Sequence, residues 1–97
     1  MSEIAQTILS QIKTLDTWAL ARWGAHGYLS DNNKLIIITK TNHKQTKIII
    51  ELDEGSDTYN IEYGRVDKNH QWVVIDRAEY IYFVQLVEVI DQMINTH

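Results

Sequence analysis

Hydrophobic residues recur at steps of three and four through the first quarter of the chain. Ile4, Ile8, Ile12, Leu15, Ala19 and Trp23 form one line, with Ala5 and Leu9 widening it. That period predicts a helix from Ser2 to Trp23, with Glu3, Gln6, Ser10, Lys13, Thr14 and Thr17 mainly on its far side. Ser2 suits the N-cap, and Gly24 can take the left-handed conformation that ends a helix. Asp16-Thr17 is a weak point, and the spacing leaves open whether the helix is continuous through it. Gly24-Ala25-His26-Gly27 reads as a loop.

The period then changes. Lys34–Lys40, Lys47–Leu52, Tyr59–Val66 and Gln71–Ile75 are short runs rich in isoleucine, valine and aromatic residues. Their separators carry the Asn, Asp, Gly and Ser that turns favour, and each is short enough for a hairpin. Tyr59, Ile61 and Tyr63 alternate with Asn60 and Glu62, and Ile48, Ile50 and Leu52 alternate with Lys47, Ile49 and Glu51. A four-stranded antiparallel meander with one buried and one wetter face is expected.

Asp76-Arg77-Ala78-Glu79 has the Asp-x-x-Glu spacing of a capping box, which predicts a last helix from there to about Asn95. Phe83, Leu86, Val87, Ile90 and Ile94 would be its core stripe, with Tyr82, Val89 and Met93 broadening the apolar arc beyond what one sheet face covers. The expected architecture is α+β: an N-terminal helix, four strands and a C-terminal helix, both helices on one face of the sheet. Residues 1–97 make a single domain, since the length leaves no room for a second core. The surplus on the last helix would meet the first helix, a second copy in a homodimer, or a foreign partner.

Composition narrows the chemistry. With no cysteine, disulfides, thiolate nucleophiles and cysteine-ligated metals are excluded. The net charge of −4 runs against a dedicated nucleic-acid binder, which carries a basic excess. No apolar run approaches the length that crosses a bilayer, so no membrane partner is expected. The start, Met1-Ser2-Glu3-Ile4-Ala5-Gln6, lacks the basic and apolar parts of a signal peptide, so the expectation is cytoplasmic.

Few residues suggest a site. His26, His43, His70 and His97 lie in predicted loops or at the end of the chain, without metal-ligand spacing. Asp53, Glu54 and Asp57 surround Gly55 in a turn too short for a calcium loop. Glycine-rich nucleotide motifs and nucleophile elbows are absent, so no catalytic residue, metal or cofactor is expected. Lys40, His43, Lys44 and Lys47 gather at the first hairpin, opposite the acidic turn, which predicts a charge polarity along the sheet. They could meet phosphate, or protect a sheet edge from unwanted pairing. Trp18 and Trp72 are candidate partner anchors if exposed, and core residues otherwise.

Trp23-Gly24-Ala25, the strand Asp57-Thr58-Tyr59-Asn60-Ile61-Glu62-Tyr63 and the segment from Tyr80 to Asp91 together resemble small, mostly uncharacterised proteins of bacteriophages and other bacterial mobile elements. The likeness runs from Trp18 onward. It departs from the pattern at Val84, where an acidic residue is usual, and at Thr58, where leucine is usual. The resemblance implies a phage or prophage setting in a bacterial cytoplasm and brings no catalytic residues with it. The expected function is a non-catalytic interaction protein, such as a phage accessory or anti-defence factor that binds a host protein. One alternative is a nucleic-acid-associated protein using Lys40–Lys47, and another is an enzyme whose site assembles only in the fold.

Overall fold

Ser2 caps the first helix, its Oγ accepting the Ala5 N–H at 3.1 Å. A computed structural model describes residues 1–97. Helix α1 spans Glu3–Leu15 and ends at Asp16, whose extended backbone (φ −156°) breaks the chain where the sequence is weakest. A short helix α2, Ala19–Arg22, follows. Gly24, at φ +66°, then turns the chain toward the sheet.

The sheet has five strands, all antiparallel and in sequence order: β1 Gly27–Asp31, β2 Lys34–Thr41, β3 Lys44–Asp53, β4 Thr58–Val66 and β5 Trp72–Ile81. The expected count of four misses β1, which lies on the far side of β2 from β3. Asn42 and His43, both at positive φ, make the two-residue turn between Thr41 and Lys44, as the twist of a tight hairpin requires. A 3-10 turn at Phe83–Gln85 leads into α3, Leu86–Thr96.

Both long helices pack on one sheet face, as expected. Leu35, Ile37, Ile48, Ile50, Ile61 and Tyr63 point into the core together, their partners set by the ladder: Leu35 opposite Ile50, Ile37 opposite Ile48, Ile50 opposite Ile61. Ala5, Ile8 and Ile12 of α1 and Leu86, Ile90 and Met93 of α3 close the other side. Toward the Thr41 end the core becomes polar but satisfied: Thr39 and Thr41 each bond Thr46, and Thr41 meets the Tyr63 hydroxyl. No buried side-chain nitrogen or oxygen lacks a partner.

The second half of β5 overturns the capping-box reading. Asp76, Arg77, Ala78 and Glu79 are strand residues, and the last helix starts ten residues later than Asp76, at Leu86. Phe83 therefore stands in the connecting turn at 50% exposure rather than in the core. The supposed surplus on the last helix is also smaller than expected. Met93 is buried and Val89 packs against the core, leaving Tyr82 outside.

Candidate functional site

The helices leave the second sheet face uncovered, and the ladder orders that face into rows across the strands. One row runs Asp31, Lys34, Glu51, Asn60. The next is Leu29, Ile36, Ile49, Glu62, Arg77, and the third Gly27, Ile38, Lys47, Gly64, Val74. Beyond it lie Lys40 opposite Gln45, and Val66 opposite Trp72. The middle of the face is aliphatic and its two ends carry opposite charge.

The positive end collects more than the first hairpin. Lys40, His43 and Lys44 are exposed and Lys47 is half-buried. Arg65, near the end of β4 and in phase with the core-facing Ile61 and Tyr63, lies at this end on the helix side, and Lys68 and His70 lie with Asp67 in the β4–β5 loop. Arg22, Lys34 and Arg77 make the structure's arginine and lysine salt bridges, so the cations Lys40, Lys44, Lys47, Arg65 and Lys68 are without a carboxylate partner within 4.0 Å. Such a cluster repels itself and gains from any anionic surface that approaches it. The edge-protection role for the lysines does not hold, because β1 makes β2 an interior strand, and β3 is interior as well.

Trp72 borders this end. Its indole lies across Gly64: a Cβ built there would stand 3.0 Å from two of the ring carbons. Its Nε1–H points at Glu62 Oε1, 3.3 Å away, and Glu62 lies 3.7 Å from Arg77. Since Gly64 is opposite Lys47 in the ladder, the half-buried ring and the lysine are separated only by a residue without a side chain. Trp18 does not join them. It is 73% exposed at the corner between α1 and α2, in the helical layer, where its backbone N–H is held by Asp16.

The opposite end is acidic. Asp31, Glu51, Asp53, Glu54 and Asp57 cluster there, with Lys34 paired to Glu51 at 3.8 Å. An open groove of about 580 Å³ is lined by Ile4, Asn32, Asn33, Glu51, Leu52, Asp53, Glu54 and Asn60. None of these is a hydroxyl, thiol or imidazole that could act as a nucleophile beside a base. Nowhere do three or more histidine, aspartate or glutamate side chains converge as a metal site requires. Tyr80, Tyr82, Phe83 and Val84, each at least half exposed, project from the same end of the sheet.

The perturbed titrating groups serve the fold. The Trp18 backbone N–H and the Arg22 guanidinium lower the pKa of Asp16, and the Asp91 carboxylate raises that of Arg22. Burial raises Tyr59, whose hydroxyl donates to Gln11 Oε1 at 2.7 Å. None of the three lines the groove.

Sequence spacing alone points to Lys40–Lys47 and Trp72 but passes over Arg65 and Lys68. Counting which strand ends share a side of a meander would have joined them to the hairpin. No helix is long and apolar enough to cross a membrane. Comparison with protein-family models, with curated proteins and with solved structures found no match.

Proposed function

We propose that this chain is a non-catalytic interaction module that docks an acidic surface of a partner protein on the basic end of its sheet. The observation that carries the reading is the group of unpaired cations at one end of the sheet: Lys40 and Lys47 on the open face, Lys44 and Arg65 in the ladder phase of the helix-covered face, and Lys68 in the β4–β5 loop. Next to them lie Trp72 and the aliphatic residues Ile38, Val66 and Val74, which offer apolar area for a protein contact. The resemblance of Trp23-Gly24-Ala25 and of the Tyr80–Asp91 segment to phage and mobile-element proteins supports a bacterial host protein as that partner, met in the cytoplasm.

The same cations support a second reading, in which the surface meets nucleic acid. Two features favour protein. The sheet face is lined by aliphatic residues, which give bases nothing to stack on, and the Trp72 indole has the Glu62 carboxylate beside it, which repels phosphate.

Affinity capture from a bacterial lysate, comparing wild type with the triple variant Lys40→Glu, Lys44→Glu, Lys47→Glu, tests the proposal. An acidic protein retained by the wild type, lost in the variant and eluted by salt is expected. Equal retention by the variant overturns the basic-end assignment. Fluorescence anisotropy with labelled oligonucleotides tests the second reading, which requires affinity to fall steeply with salt and the slope to flatten in the variant.

A further inference from the structure

The two edges of the sheet are built differently. On β5, register shifts opposite Asn60 and between Tyr63 and Gly64 break the ladder, and Asp76, Arg77 and Glu79 add charge. Such an edge resists pairing with another strand. β1 is less guarded: its one charge is the terminal Asp31, and its one irregularity lies at the start, where the Ile38 carbonyl opposite Gly27 takes the His26 N–H at 2.9 Å. Gly27-Tyr28-Leu29-Ser30-Asp31 pairs with β2 in unbroken register and contains neither proline nor lysine.

The hydrogen-bond phase of β1 follows from its neighbours. The Leu52 N–H donates to the Asn33 carbonyl at 2.9 Å, so along β2 the odd-numbered residues bond toward β3 and the even-numbered ones toward β1. Ile36 therefore bonds to Leu29 opposite it, and Ile38 bonds toward Gly27, its carbonyl also taking the His26 N–H at 2.9 Å. Tyr28 and Ser30 then direct their N–H and C=O groups away from the sheet. Ser30 Oγ accepts the Ser2 N–H at 3.0 Å, but no bond outside the ladder takes either backbone group.

We propose that this edge pairs with β1 of a second copy about a twofold axis through Leu29, joining the two sheets into one. Placing Leu29 opposite Leu29 of the second copy sets Tyr28 opposite Ser30, so the two outward-facing residues of each strand exchange hydrogen bonds reciprocally. The side chains agree with this register. The apolar row Ile49, Ile36, Leu29 ends abruptly at the edge with Leu29 51% exposed, and the pairing continues it into the same row of the second copy. An unrelated extended peptide would satisfy the backbone equally, but a second copy also supplies the matching apolar row.

The contact is short, so a dissociation constant on the order of 10–100 µM is expected. Each copy carries a net charge of −4, so added salt strengthens the pair, whereas it weakens docking on the basic end.

Sedimentation velocity from about 1 µM to about 1 mM should show the mass rising from 11.3 kDa toward twice that value. Leu29→Lys and Leu29→Glu each place like charges opposite one another, and each alone should weaken the pair by more than about tenfold. Mixed in equal amounts they should pair again, a recovery that misfolding cannot imitate. Hydrogen exchange should slow at the Tyr28 and Ser30 amides as wild-type concentration rises. A constant mass of 11.3 kDa with both amides exchanging freely overturns the proposal and leaves the edge to a foreign extended segment. A dimer indifferent to both Leu29 variants overturns it equally, by placing the contact on another face.

Discussion

The indole Nε1–H of Trp23 donates to Asp91 Oδ1 at 2.8 Å, across sixty-eight residues of sequence. The same carboxylate takes three further bonds from the Arg22 guanidinium, at 2.8, 3.0 and 3.2 Å. One acidic residue on α3 therefore anchors α2 and the corner that brings the chain from the first helix to the sheet. Trp23 is only 1% exposed, so its N–H has no water to replace Asp91.

Asp91→Ala should consequently cost about 1–3 kcal/mol in urea unfolding, the penalty for an unpaired buried donor. Asp91→Asn keeps an oxygen for the indole and loses only the charge facing Arg22, a partly exposed pair of small worth. It should cost clearly less. Equal losses in the two variants would place the energy in the ion pair instead.

Much of the fold is legible in the sequence, and what is missed has identifiable causes. The strands β2 to β4 and the shared helical face follow from apolar spacing, but the same spacing runs on through Ala19 to Trp23 and so does not show the break at Asp16. β1 escapes because it has only Tyr28 and Leu29 as apolar residues, too few to show alternation. The end of β5 escapes for a different reason. Its register shifts each insert a residue, so that Ile75, Ala78 and Ile81 pack against the core at steps of three. A bulged strand thereby acquires a helical period, and Asp76 with Glu79 imitates a helix cap. For the candidate site, the first hairpin and the charge polarity are readable. The recruitment of Arg65 and Lys68 depends on topology.

Phe83 measures the consequence of that misreading. Had the last helix begun at Asp76, truncating Phe83 would have removed a core side chain. At 50% exposure in the 3-10 turn, Phe83→Ala should cost under about 1.5 kcal/mol, whereas Ile61→Ala or Ile90→Ala, both fully buried, should cost about 2–5 kcal/mol. Chemical denaturation of the three variants ranks them directly, and a Phe83→Ala loss matching the other two would return this residue to the core.

Gly64 is required by what lies over it. A Cβ at this position would press on the Val73 carbonyl and on the Trp72 ring, and a backbone oxygen of a paired strand has little freedom to retreat. Gly64→Ala should destabilise the protein by about 1–3 kcal/mol and displace Trp72 from Glu62. The accompanying signal is a change in tryptophan emission that Gly55→Ala, in the exposed β3–β4 turn, does not produce.

Tyr59 gives the fold an alkaline limit. The residue is 5% exposed, and burial, with the nearby Asp57 charge, raises its phenol above the ordinary value of 10.0. In the unfolded chain the phenol ionises near that ordinary value, while in the folded chain it stays protonated to higher pH. Ionisation therefore favours the unfolded state between the two values. The stability linked to Tyr59 is complete below pH 10 and declines as pH rises from there toward the folded value. Tyr59→Phe has no proton to lose. It forfeits the hydrogen bond to Gln11 at all pH values below 10, yet its stability should fall less between about pH 8 and about pH 11 than that of the wild type. Urea midpoints at the two pH values, compared between the proteins, isolate this residue because the other tyrosines are common to both. Identical declines would mean that the Tyr59 phenol ionises equally readily in the folded and unfolded chains.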